Sequence, residues 1–105
     1  MNHDPDNALK PFDVTREGLV LGDGGATMVF ESLESAQRRG AKIYCEIVGF
    51  HNNIEGEHML TPTVEGKGIF KSIYFALKEA GIKNNEVDAF NAHAGSTPKG
   101  DDSEA

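Results

Sequence analysis

The sequence has no tryptophan, two tyrosines and a single cysteine, Cys45. One thiol excludes an internal disulfide framework and a multi-cysteine zinc site. Basic residues are scarce. Ten Lys and Arg stand against 17 Asp and Glu, a formal charge of −7. A nucleic-acid binder needs a basic face, and only short clusters such as Arg38-Arg39 occur, so the composition speaks against that class. An acidic surface is also a poor match for an anionic membrane. No apolar run reaches the length of about 18 residues that a transmembrane helix needs. The start, Met1-Asn2-His3-Asp4-Pro5-Asp6, has neither an apolar stretch nor an Arg-rich amphipathic pattern, so no signal or transit peptide is expected. Hydrophobic residues make up 38% of the 105 positions, and 12 positions are glycine. A chain of this size buries at best roughly 60–68% of its unfolded surface, so its own core reads as thin.

What is present has the order of a layered α/β unit. Residues 1–17 carry Pro5 and Pro11 and read as extended loop. Leu19-Val20-Leu21 and Ala26-Thr27-Met28-Val29-Phe30 are strand-like pieces on either side of Gly22-Asp23-Gly24-Gly25. Residues 31–40 read as a helix, with Leu33 and Ala36 on one face, acids early, Arg38 and Arg39 late, and Gly40 at the end. Residues 42–50 alternate as a strand, and 51–66 form a long polar connection. From Gly66 to Ala80, Ile69, Phe70, Ile73, Leu77 and Ala80 follow the helical period, and Gly81 closes it. Residues 87–92 read as a short strand and Asp101 to Ala105 as the first turn of a helix. Strand, helix, strand, helix, strand implies an α/β layer fold.

Most candidate chemistry has a plain structural reading. The glycine cluster lacks the third glycine of a dinucleotide fingerprint, because Thr27 stands there, and a strand rather than a helix follows. It reads as a tight turn where two backbones approach. His3, His51, His58 and His93 have no metal-ligand spacing, and His3 and His51 read as loop histidines. Cys45 sits among apolar residues with no helix N-terminus or cation beside it, so it reads as a core filler. His93 differs by position. It ends a strand and precedes a small-residue turn, where ligands of α/β sheets bind, although a histidine satisfied by nearby backbone would look the same. Ser96-Thr97-Pro98 either contacts a ligand through hydroxyls or caps a helix.

Several segments, taken together, resemble one family. Residues 10–26 (K-P-F-D-V-T-R-E-G-L-V-L-G-D-G-G-A) resemble R-P-F-D-x-x-R-D-G-F-V-x-G-E-G-A. Residues 39–50 (R-G-A-K-I-Y-C-E-I-V-G-F) resemble R-G-A-K-I-Y-A-E-V-V-G-Y. Residues 91–101 (N-A-H-A-G-S-T-P-K-G-D) resemble N-A-H-G-T-S-T-P-x-G-D, and Asn2-His3-Asp4-Pro5 resembles N-D-D-P. These are motifs of the elongating β-ketoacyl-[acyl-carrier-protein] synthases of the thiolase superfamily. The resemblance covers essentially the whole chain in the family's order.

The resemblance implies part of a thiolase-like α-β-α-β-α layered fold. Residues 1–50 would end the N-terminal half, 51–66 would cross between halves, and 67–105 would open the C-terminal half. It implies decarboxylative condensation of malonyl-ACP with an acyl thioester. His93 matches the first of two histidines that hydrogen-bond the malonyl thioester carbonyl, and so would be catalytic. Thr97 matches a threonine that binds the phosphopantetheine arm. Asp101 and Glu104 match a site-structuring D-x-x-E. The implied partner is acyl carrier protein, with a homodimeric full-length enzyme, no resident cofactor or metal, and a cytoplasmic or mitochondrial home. There are departures. Gly95 stands where the family has a pantetheine-binding threonine, Ala94 where it has glycine, and Asp23 where it has glutamate. Cys45 aligns with a residue that is usually alanine and does not inherit the nucleophile's role. The nucleophilic cysteine lies upstream in the family, and the second histidine and a lysine lie downstream. One member of a catalytic set gives little activity, so the chain alone is expected to be inactive. The Met1 start and the stop inside a predicted helix read as a fragment. The alternatives are a truncated inactive product that binds a ketosynthase or a carrier protein, and an unrelated small α/β module.

Overall fold

A computed structural model describes residues 4–59 and 61–105. The readings placed on His3 and on the Asn2-His3 start lie outside the described residues.

Among the described residues three α-helices form, with side-chain caps at the starts of the first and third. Helix α1, Leu33–Arg38, starts at Ser32, whose hydroxyl accepts the Ser35 N–H at 3.2 Å. Such a cap contributes about 1 kcal/mol. The chain leaves α1 through Gly40 at φ +65°, the left-handed conformation that glycine tolerates best. Helix α2, Lys67–Ala80, stops at Gly81, where φ is +70°. Helix α3, Pro98–Glu104, starts three residues earlier than the sequence suggests. Proline at its first position and the Thr97 hydroxyl, which accepts the Gly100 N–H at 3.2 Å, set that start.

The sheet expected at 19–21, 26–30, 42–50 and 87–92 is absent, because no strand forms among the described residues. A strand needs a regular backbone ladder with a neighbour, and no such ladder forms among the described residues. Their side chains stand open. Leu21 is 88% exposed, Val29 85% and Tyr44 84%. The glycine cluster is corrected with them. A Cβ added at Gly22, Gly24 or Gly25 would meet nothing within 4 Å, so no second backbone approaches there. Cys45 is exposed as well, and it is not a core filler within this chain.

One segment does pack on α2. At Gly49 a Cβ would lie 2.2 Å from the Ala76 carbonyl oxygen, so only glycine lets the chain cross the helix so closely. The Phe50 N–H then bonds Glu79 at 2.9 Å, the His51 ring lies 4.8 Å from that of Phe75, and the Asn53 amide donates to the Gly68 carbonyl at 2.8 Å. Even so, the apolar stripe of α2 is only partly covered, and Phe70 remains 65% exposed.

The consequence is an open shape. The radius of gyration is 17.6 Å, against about 13 Å for a compact domain of this length. Accessible surface is 9137 Å², against roughly 5,700 Å² for a folded monomer of this mass. Among the described residues only Ala8 and Ala36 are buried apolar side chains. No helix among them is long and apolar enough to cross a membrane.

Candidate functional site

The turn from His93 to Thr97 is tied down by several long-range hydrogen bonds. Two non-glycine residues there adopt positive φ, Ala94 at +51° and Ser96 at +61°. Each costs about 1–3 kcal/mol and persists only when its surroundings hold it. The Ala94 N–H donates to the Glu104 carboxylate at 2.8 Å. The Ser96 hydroxyl is wholly buried and accepts the Lys10 N–H at 2.9 Å. One helical turn beyond Thr97, Asp101 is 1% exposed and accepts the Phe12 N–H at 2.7 Å. Arg16 brackets the same helix. Its Nε lies 3.7 Å from Asp101, and its Nη2 donates to the Pro98 carbonyl at 3.0 Å and pairs with Asp102. Segment 8–16 therefore straps the turn and the start of α3 from more than 80 residues away in the chain.

His93 stands at the start of the turn. It is exposed, and its ring folds over the turn, so that a Cβ at Gly95 would lie 3.0 Å from Nε2. The glycine found where the family has threonine therefore leaves room for the imidazole. The four residues singled out, His93, Thr97, Asp101 and Glu104, lie on one turn and the helix it starts. Thr97 Oγ1 caps that helix and keeps its own O–H to donate. Of the two readings of Ser96-Thr97-Pro98, capping is realised at Thr97, and Ser96 is too deep to touch a ligand.

The other described histidines, His51 and His58, have partners of their own. His51 packs on Phe75, and His58 Nδ1 accepts the Thr61 N–H at 3.1 Å. Among the described residues no group of three or more His, Cys, Asp and Glu is arranged to hold a metal. An open cleft of about 300 Å³ is lined by His58, Thr61, Thr63 and Lys99 among others, and it does not reach His93.

Near that cleft, Glu55 clasps the loop to α2. Its carboxylate accepts the Thr63 N–H at 2.8 Å, the Thr63 hydroxyl at 3.1 Å and the Gly68 N–H at 2.8 Å. These bonds, the Thr63 amide foremost, hold its carboxyl below the ordinary glutamate range against the opposing effect of burial. A depressed carboxylate stabilises the fold above the unfolded range and loses that contribution as pH falls through its own lower value. The carboxyl-carbon resonance of Glu55 in a complete subunit should therefore titrate below that of an exposed glutamate. Titration at or above the ordinary range would contradict the clasp.

With the geometry in place, comparison with known proteins decides the family. The model of the β-ketoacyl synthase C-terminal domain matches residues 44–105. The chain belongs to the β-ketoacyl synthase family. Over 104 residues it is 43% identical to the mitochondrial 3-oxoacyl-[acyl-carrier-protein] synthase of Arabidopsis thaliana, covering 99% of this chain and 23% of that one. It is 45% identical over 100 residues to 3-oxoacyl-[acyl-carrier-protein] synthase 2 of Staphylococcus aureus, covering 95% and 25%. Its backbone matches a solved complex of a type II PKS acyl-carrier protein with its ketosynthase bound to the hexaketide. The TM-score is 0.88 at 35% identity, over 92% of this chain and 24% of that one. The β-ketoacyl synthase segment thus spans about a quarter of the length of the curated relatives it matches.

Sequence reasoning assigned no role to Ser96 as a strut, to Arg16 or to Glu55. Arg16 and Ser96 stand inside the family-like segments, but only the fold brings each to its distant partners. The spacing of Glu55, Thr63 and Gly68 carried no local signal, because a clasp over a loop has no period.

Proposed function

We propose that this chain is the middle part of a 3-oxoacyl-[acyl-carrier-protein] synthase of fatty-acid synthesis. Identity of 43–45% to relatives of that name over nearly the whole chain carries the reading. The extended arms, with their exposed apolar side chains, support it. They follow the path of a solved ketosynthase, and the open edges are then faces for the remainder of an α-β-α-β-α subunit.

On this reading the substrate is malonyl on the phosphopantetheine arm of acyl carrier protein, and no resident cofactor or metal takes part. The malonyl C–C bond breaks, carbon dioxide leaves, and the electron pair moves onto the thioester oxygen as an enolate. His93 donates an N–H hydrogen bond to that oxygen, where charge develops. The enolate carbon then attacks an acyl thioester on a cysteine outside this segment, and the cysteine thiolate leaves. Thr97 donates its hydroxyl proton to the pantetheine arm. Asp101 and Glu104 hold the turn. Gly95 forgoes a second hydroxyl contact, worth about 0.5–1.5 kcal/mol. The full-length enzyme is a homodimer.

A graft tests this. The matched residues of the Staphylococcus aureus synthase are exchanged for this chain, and condensation is measured. Retained turnover supports the reading, and a folded graft without turnover contradicts it.

A further inference from the structure

We propose that Ser96 is a positioning residue, which holds the His93 turn in its strained form through a hydroxyl bridge to the strap at Ala8 and Lys10. The inference rests on the synthase reading for its catalytic consequence alone.

Ser96 has φ +61° and no solvent exposure. Nothing about a serine favours that backbone, since its Cβ meets the steric penalty that glycine avoids. The hydroxyl accounts for the choice of residue. It accepts the Lys10 N–H at 2.9 Å and reaches the Ala8 carbonyl at 3.5 Å, so one oxygen serves as both acceptor and donor. Both groups belong to backbone 86 and 88 residues away. Alanine at this position keeps the strain and loses the bridge. Glycine loses the bridge and relieves the strain. If only backbone shape mattered, glycine would be the better residue.

The bridge acts on His93 through a short path. Ala94, at φ +51°, is fixed on its N–H side by Glu104, and Ser96 fixes the other side of Gly95. His93 and Thr97 flank this locked triplet. Releasing Ser96 lets the turn relax toward ordinary negative φ and re-aims the His93 ring. A misplacement of about 1 Å costs on the order of a hundredfold in rate.

The test compares Ser96→Ala and Ser96→Gly with wild type in a complete synthase subunit containing residues 1–105. Two quantities are read: malonyl-ACP decarboxylation, and hydrogen exchange at the Ala94 amide and along α2. Both variants should lower kcat about tenfold to a hundredfold, with KM for malonyl-ACP within about twofold. Both should speed exchange at Ala94 and leave α2 protected. A glycine variant with wild-type kcat and wild-type Ala94 protection overturns the inference. So does loss of protection throughout α2 in both variants, which would make Ser96 a folding residue only. If the wild-type subunit decarboxylates nothing, the synthase reading fails, and the exchange measurement still decides the role of Ser96.

Discussion

Replacing His93 by alanine in the grafted synthase is expected to lower malonyl-ACP decarboxylation by about a hundredfold to a thousandfold, the usual loss for one donor to a developing oxyanion. The reasoning is local. His93 is the histidine that the strapped turn presents outward, while His51 packs on Phe75 and His58 bonds its own loop at Thr61. Uptake of an acyl group by the cysteine of the host should change far less, because in the proposed mechanism the donor serves the malonyl oxygen and not the nucleophile. Carbon dioxide release and acyl-enzyme formation, measured separately, check this. Equal losses in both would mean that the variant damages the site as a whole. No loss in either would remove His93 from the chemistry.

The second large effect concerns folding. Purified residues 1–105 should show no sharp cooperative melt and should associate as concentration rises. A net stability of about 5–15 kcal/mol in ordinary domains rests on extensive apolar burial. Here only Ala8 and Ala36 are buried apolar residues among those described. The extended arms form no strand ladder among the described residues and expose apolar side chains, which invites pairing with other chains. Helix α2 cannot stand on propensity alone, because its 14 residues lie in the length range that is marginal in water. Calorimetry and sedimentation decide the point. A sharp, concentration-independent transition of a monomer would contradict it.

The helices were legible because their signals are local. Gly40 and Gly81 mark ends through left-handed turns, and the stripe from Ile69 to Ala80 marks a face, while the Ser32 cap that starts α1 two residues after the expected 31 was not singled out. The expected strands form no ladder among the described residues, and the reason is the same. Alternation at 42–50 reports that a segment suits a sheet, and it carries no information on whether a neighbour is present. Cys45 was read as buried from its apolar flanks, yet that burial needs a covering layer which these residues do not build. At the site, the resemblance named His93, Thr97, Asp101 and Glu104, and all four fall on one turn and its helix. Ser96 and Arg16 were not assigned because their bonds to segment 8–12 and to α3 span more than 80 residues.

The thin, acidic, tryptophan-free composition is thus that of a part whose apolar faces await the rest of a subunit. The most direct measurement of this account is carbon dioxide release from malonyl-ACP by the Staphylococcus aureus synthase carrying this chain in place of its matched residues. Release well above that of the same graft with His93→Ala is the predicted result. A folded graft whose release does not exceed that of its His93→Ala variant would contradict the account.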